Sequence, residues 1–273
     1  MSRSKTAAPM VVFFLVAFGI PWATWISLAF LHVGSPEDTL PFMVGASFCS
    51  VGGVAATYVA GGTLGLKELA RRCVLYRVPI VWWIYALFLP LGLLACASVI
   101  YGMAHSKVGP IKPTELFHEW WLFFIFVFGL FQGPLGEELG WRGFLLPFLL
   151  KKYSPLKASL ILGLVWALWH LPSGLLPGGP YYFHTILGTF LFAASAVALS
   201  IFMTVLFLRT HGSVLLAIAM HWSVMPSSEI VKISFPPAQL APDWLRAVVV
   251  IVVAVVVAIA LASRARSDRA VGP

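Results

Sequence analysis

The stretch FGLFQGPLGEELGWRGFLLP, residues 128–147, sets two adjacent carboxylates, Glu137 and Glu138, and the guanidinium of Arg142 inside one of the most apolar parts of the chain. The residues that flank these charges, from Trp120 to Leu135 and from Phe144 to Leu150, are almost all hydrophobic. An ionised side chain in such a setting costs free energy unless it is paired, hydrated or used in chemistry. The composition tells what the setting is. Of 273 residues, 60% are hydrophobic and 10% charged, and the mean hydropathy is +0.93. Soluble domains are about 45–50% apolar and about 25% charged, so the chain is read as an integral membrane protein.

The apolar runs fall near 10–32, 41–62, 79–103, 118–135, 156–172, 183–208, 212–227 and 244–262. Each is close to the ~20 residues that a helix needs to cross a bilayer, and none shows the short alternating pattern of a membrane barrel. The expected fold is an all-α, polytopic bundle of about eight transmembrane helices forming a single domain over 1–273. The N-terminal run continues to Leu31 without a small-residue cleavage site, which points to a retained first span. Alternate loops test the count. Arg3, Lys5, Lys67, Arg71, Arg72, Arg77, Arg142, Lys151, Lys152, Lys157, Arg209, Arg264, Arg266 and Arg269 fall on one side, 14 of the 18 basic residues. Only Lys107, Lys112, Lys232 and Arg246 fall on the other. Such a split predicts an even number of spans with both termini cytoplasmic and a multi-pass protein of the cell membrane. The net charge of +8 is accounted for by these loops and implies no nucleic-acid partner. The three cysteines, Cys49, Cys73 and Cys96, are too far apart for a close-spaced metal cluster.

The region 118–150 is too long for one span and too short for two. Gly133–Pro134 punctuates it, because proline is best tolerated in the first turn of a helix. A break near Gly133 is therefore expected, followed by a new helix that carries the charged stretch. On that helix, neighbours point about 100° apart whereas residues four apart share a face. Glu138 thus pairs with Arg142, and Glu137 is left without a local partner. Glu137 is then a candidate general base. The competing reading is that both glutamates and Arg142 form an ionic staple between helices.

Two histidines bear on the choice. His170 ends the run VWALWH and His221 lies within LLAIAMHWSVM. One glutamate and two histidines suit either a metal ion or the metal-free activation of water with stabilisation of an oxyanion. His32, His105, His118, His184 and His211 fall at predicted span ends. The eleven tryptophans, Trp82, Trp83, Trp120 and Trp121 among them, read mainly as interface belts, with Trp141 and Trp166 packing near the site. The chain has no H-E-x-x-H string, G-x-S-x-G elbow or Walker loop.

These residues resemble the motifs of the CPBP family, the CAAX-protease and bacteriocin-processing group of intramembrane endopeptidases that includes the type II CAAX prenyl endopeptidases. The first motif, E-E-x-x-x-R, stands here as Glu137, Glu138 and Arg142. The second, an aromatic residue and then His four later, stands as Trp166 and His170, and His221 occupies the place of the third. The likeness covers about 120–226, and the core that carries the site is taken as 118–227. It implies that Glu137 and His170 activate water for attack on a peptide carbonyl, that His221 stabilises the oxyanion, and that Glu138, Arg142 and Trp166 support the site. No cofactor is required on this reading. If zinc binds, its ligands are Glu137, His170 and His221. The implied partners are the lipid bilayer and a membrane-associated protein or peptide, lipidated substrates included. One position departs from the pattern: the third motif ends in Asn four residues after its His, and Met225 stands there. A thioether cannot donate the amide's hydrogen bond. The alternative is accordingly a weak or inactive relative that serves as a membrane immunity or scaffold protein. A proton-coupled transporter ranks lower, because the other spans hold almost no acids.

Overall fold

The computed structural model describes residues 3–31, 40–110, 112, 116, 119–120, 122–175 and 185–270. Among them there is no strand, and every long element is a helix. The first is α1 (Arg3–Phe14), continued by a π-helical turn (Leu15–Gly19) into α2 (Ile20–Phe30). Next come α3 (Leu40–Cys73), α4 (Ile80–Ala104) and α5 (Leu122–Gln132). The charged stretch is divided among α6 (Pro134–Glu138), a second π-helical segment (Leu139–Leu145) and α7 (Leu146–Leu150). The remaining helices are α8 (Pro155–His170), α9 (Ile186–Arg209), α10 (Val214–Ser234) and α11 (Asp243–Ala270).

Seven stretches of described residues are long and apolar enough to cross a membrane: Ala7–Phe30, Met43–Cys73, Ile80–Ala104, Pro155–Gly174, Ile186–Arg209, Val214–Ser234 and Asp243–Leu261. They match seven of the eight expected spans, and the chain is a multi-pass membrane protein. The eighth run, 118–135, differs. Its helix α5 has 11 residues and reaches only about 16 Å at 1.5 Å per residue, short of the ~30 Å hydrocarbon layer. Gly133 ends it and Pro134 starts α6, the expected break. His32, His118, Trp121 and His184 lie outside the described residues.

Local chemistry sets the helix starts. Ser154, Thr185 and Ser213 accept hydrogen bonds from the backbone N–H of Lys157, Gly188 and Leu216, so each caps its helix. The interior differs from the expected tryptophan belts. Trp25, Trp141 and Trp169 are fully buried, stacked edge to face with Trp169 in the middle, its centroid 4.7 Å from Trp25 and 5.9 Å from Trp141. The Trp169 indole N–H donates to the carbonyl of Ala17 at 2.6 Å. Ala17 lies in the first π turn, and such turns leave backbone groups that need partners from neighbouring helices. Arg142, counted above among the loop charges, is fully buried, so it is part of the interior and not of the basic surface.

Helix α3 runs along the second π segment at backbone distance. Ser50 Oγ donates to the Leu135 carbonyl at 2.8 Å. A methyl group on Gly53 would lie 2.5 Å from the Leu139 carbonyl oxygen and 2.6 Å from the Gly140 Cα. Small residues allow this approach, the usual device where helices pack in lipid. The crossing fixes the position of the charged stretch. Gly53→Ala is therefore expected to cost about 1–3 kcal/mol in thermal or denaturant unfolding of the detergent-solubilised protein. Gly92→Ala in α4, where a methyl group meets nothing within 4 Å, is expected to be neutral or to stabilise by up to about 1 kcal/mol through helix propensity.

Candidate functional site

Each carboxylate of the charged stretch is held by a partner one turn ahead. Arg142 Nη1 donates to Glu138 Oε1 at 2.9 Å and Oε2 at 3.1 Å, the pairing expected from the sequence. Glu137 is not without a partner, contrary to expectation. The Trp141 indole N–H donates to its Oε2 at 3.1 Å. The i,i+4 rule that joined Glu138 to Arg142 joins Glu137 to Trp141, since an indole N–H is a donor. Both glutamates are buried, Glu137 with 4% of its surface exposed and Glu138 with none.

The remaining contacts come from distant helices. From α8, the Trp166 indole N–H reaches the same Glu137 Oε2 at 2.7 Å, while the Trp166 carbonyl lies 2.8 Å from His170 Nδ1. The hydrogen bond fixes the imidazole: Nδ1 carries the proton, and Nε2 is left as the acceptor. Trp166 also lies under the guanidinium of Arg142, 4.8 Å from its ring centroid, and meets the His221 ring edge to face at 5.1 Å. From α10, His221 Nδ1 lies 2.8 Å from Glu138 Oε1. So Glu138 bridges Arg142 and His221, and its position controls the His221 ring. Nothing in the sequence marks that bond, which joins residues 83 apart.

The buried Glu137, Glu138, Arg142 and Trp166 thus form one cluster with the partly buried His170 and His221. Glu137 Oε2 takes both indole bonds, and Oε1 faces Gly133. A methyl group on Gly133 would stand 3.1 Å from Glu137 Oε1 and 3.6 Å from His221 Nε2. The gap between a carboxylate oxygen and an imidazole nitrogen is therefore kept open by a missing side chain. The sequence marks Gly133 only as a helix break, and its second role depends on the approach of α10.

Met225 follows His221 by one helical turn and is 43% exposed, on the α5 side, where its sulfur lies 3.6 Å from a methyl group built on Gly129. Ser223 is turned away, donating to the carbonyls of Ala86 and Met220. Among the described residues, no group of three His, Cys, Asp or Glu side chains is arranged to hold a metal ion. Glu137, His170 and His221 are oriented by Trp166 and Glu138.

Among the described residues, Arg142 Nε and Nη2 are buried without hydrogen-bond partners, so its charge rests on Glu138 and the Trp166 ring. Breaking a buried ion pair from one side typically costs 3–5 kcal/mol. Arg142→Met is expected to lose about that much in unfolding of the solubilised protein. The double variant Arg142→Met/Glu138→Gln is expected to recover at least about 1 kcal/mol of it, which a double-mutant cycle measures.

The site lies within a segment that known proteins share. Residues 118–225 match the family model described as type II CAAX prenyl endopeptidase Rce1-like. The chain is also similar to a CAAX prenyl protease 2 of Methanococcus maripaludis, with 24% identity over 240 residues that cover 82% of this chain and 85% of that protein. The segment that carries the E-E-x-x-x-R helix, the Trp166–His170 pair and His221 is thus similar to the CAAX prenyl endopeptidases, over about two fifths of the chain by the family model and at 24% identity by the archaeal relative.

Proposed function

We propose that this protein is an intramembrane endopeptidase that hydrolyses a peptide bond in a membrane-associated protein or peptide, lipidated substrates included. The observation that carries the reading is the division of labour on Glu137: one oxygen clamped by two indoles, the other facing a gap opposite His221. A water in that gap gives its proton to Glu137 Oε1, with His170 Nε2 as the second acceptor that orients it. The hydroxide attacks the scissile carbonyl. His221, whose Nδ1–H is held by the Glu138 carboxylate, offers its protonated Nε2 to the developing oxyanion. Glu138 is a positioning residue, in the way a carboxylate fixes a histidine in a catalytic triad. On collapse, Glu137 returns the proton to the leaving amide nitrogen, giving one new carboxyl and one new amine. The apolar walls keep bulk water out and strengthen these interactions. No step needs a metal.

Met225 favours a second reading, a weak or inactive relative that binds a membrane partner as an immunity or scaffold protein. Cleavage of a panel of membrane-peptide reporters by the purified protein separates the two. Glu137→Gln and His170→Ala are expected to lower the cleavage rate by about 10²–10⁴-fold with folding intact. Unchanged cleavage in both variants removes the assigned site, and binding without any cleavage by wild type supports the scaffold reading. An added oxyanion donor at position 225 is worth up to about 10²–10³-fold, so Met225→Asn is expected to raise kcat at least about tenfold. Removal of divalent metal by a chelator is expected to leave the rate unchanged, whereas loss that zinc restores contradicts the metal-free mechanism.

A further inference from the structure

A second cavity, of about 560 Å³, opens at the basic end of the bundle, where α3, α7 and α9 meet. It is separate from the Glu137 gap, and no step of the proposed hydrolysis uses it. Its charged lining is uneven. Arg72, Lys151 and His211 line it, and Glu68 is its one carboxylate among the described residues. Glu68 is already engaged from outside, since Arg71 Nε and Nη2 donate to its two oxygens at 2.8 Å each. Arg72 faces the cavity differently. Its side chain is 11% exposed, and one Nη2 donates to the Gly143 carbonyl at 2.7 Å. Among the described residues, Arg72 Nε is buried without a hydrogen-bond partner, and it lies 3.8 Å from Glu68 Oε1, outside hydrogen-bond reach. A buried guanidinium N–H without a partner is rare and calls for an acceptor. The wall on the other side is apolar, formed by Phe144, Phe148 and Phe207.

We propose that this pocket binds a phosphoryl anion, carried at the membrane surface by the headgroup of an anionic phospholipid. The orphaned Arg72 N–H supplies the directed donor, since guanidinium matches phosphate oxygens in geometry and charge. Lys151 adds a mobile ammonium at the rim, and the phenylalanine wall accommodates the glycerol and the start of the acyl chains. The volume far exceeds that of a bare phosphate, which favours a lipid over a free ion. Through Gly143 the pocket abuts the π segment that carries Arg142, so an occupant rests against the back of the site.

The test is native mass spectrometry of the full detergent-solubilised chain carrying Glu137→Gln, which makes the readout independent of catalysis. The probes are phosphatidylglycerol, phosphatidylcholine and inorganic phosphate. Phosphatidylglycerol is expected to be retained at least about fivefold better than phosphatidylcholine, with Lys151→Gln lowering retention by about fivefold, the worth of one basic residue at an anionic surface. Arg72→Gln is expected to lower it further. Lys151→Gln breaks no internal hydrogen bond seen here, so its result stands if Arg72→Gln does not fold. Saturable binding of inorganic phosphate that displaces phosphatidylglycerol assigns the site to the free ion and overturns the lipid. Equal retention of both lipids, or retention unaffected by Lys151→Gln, overturns the pocket altogether.

Discussion

The hydrogen bond from the Trp166 indole to Glu137 is the contact on which the rest of the site depends. A carboxylate buried in lipid is tolerated only when its charge is met by donors, and here the two donors are indoles on one oxygen. The consequence is asymmetry. The second oxygen remains available, aimed at the space that Gly133 keeps open. The same Trp166 residue uses its carbonyl to set the His170 tautomer and its ring to support Arg142 and His221. One aromatic residue therefore registers all three groups that the proposed hydrolysis uses. Its own place is fixed by α8, whose neighbouring Trp169 is tied to the first π turn.

Buried charge is arranged here as two chains that share no acceptor. One runs from the indoles of Trp141 and Trp166 to Glu137, and the other from Arg142 through Glu138 to His221. In the proposed hydrolysis the first would tune the base and the second would orient the oxyanion donor. Adjacent glutamates point about 100° apart on a helix, which is what lets two neighbours in sequence serve separate chains. The wide π turn after Glu138 keeps Trp141 and Arg142 in reach of their glutamates while Gly140 passes α3 at backbone distance.

Much of this was legible in the residues. Apolar run lengths gave the spans, because a bilayer imposes one length on every crossing, and seven of the eight runs appear as long helices. The exception, 118–135, looked like a span by hydropathy alone, yet its helix is cut short by Gly133 and Pro134. Spacing four apart identified Glu138 with Arg142. It also held the key to Trp141, which was read as a packing residue near the site and not as a hydrogen-bond donor to Glu137. Contacts such as Glu138–His221 were out of reach, since no local rule links helices far apart in the chain. Arg142 was counted with the loop charges for the same reason: its burial depends on α8, not on its neighbours in sequence.

The account turns on the gap between Glu137 Oε1 and His221 Nε2, and Gly133→Ala addresses it most directly. The added methyl group stands 3.1 Å and 3.6 Å from those atoms, without removing any polar group. Reporter cleavage by the purified variant, measured alongside its thermal unfolding, is the decisive experiment. The account predicts cleavage reduced by at least about 10²-fold, the effect of a small misplacement in a preorganised site, with stability within about 1 kcal/mol of wild type. Cleavage at the wild-type rate in a folded Gly133→Ala protein would contradict it.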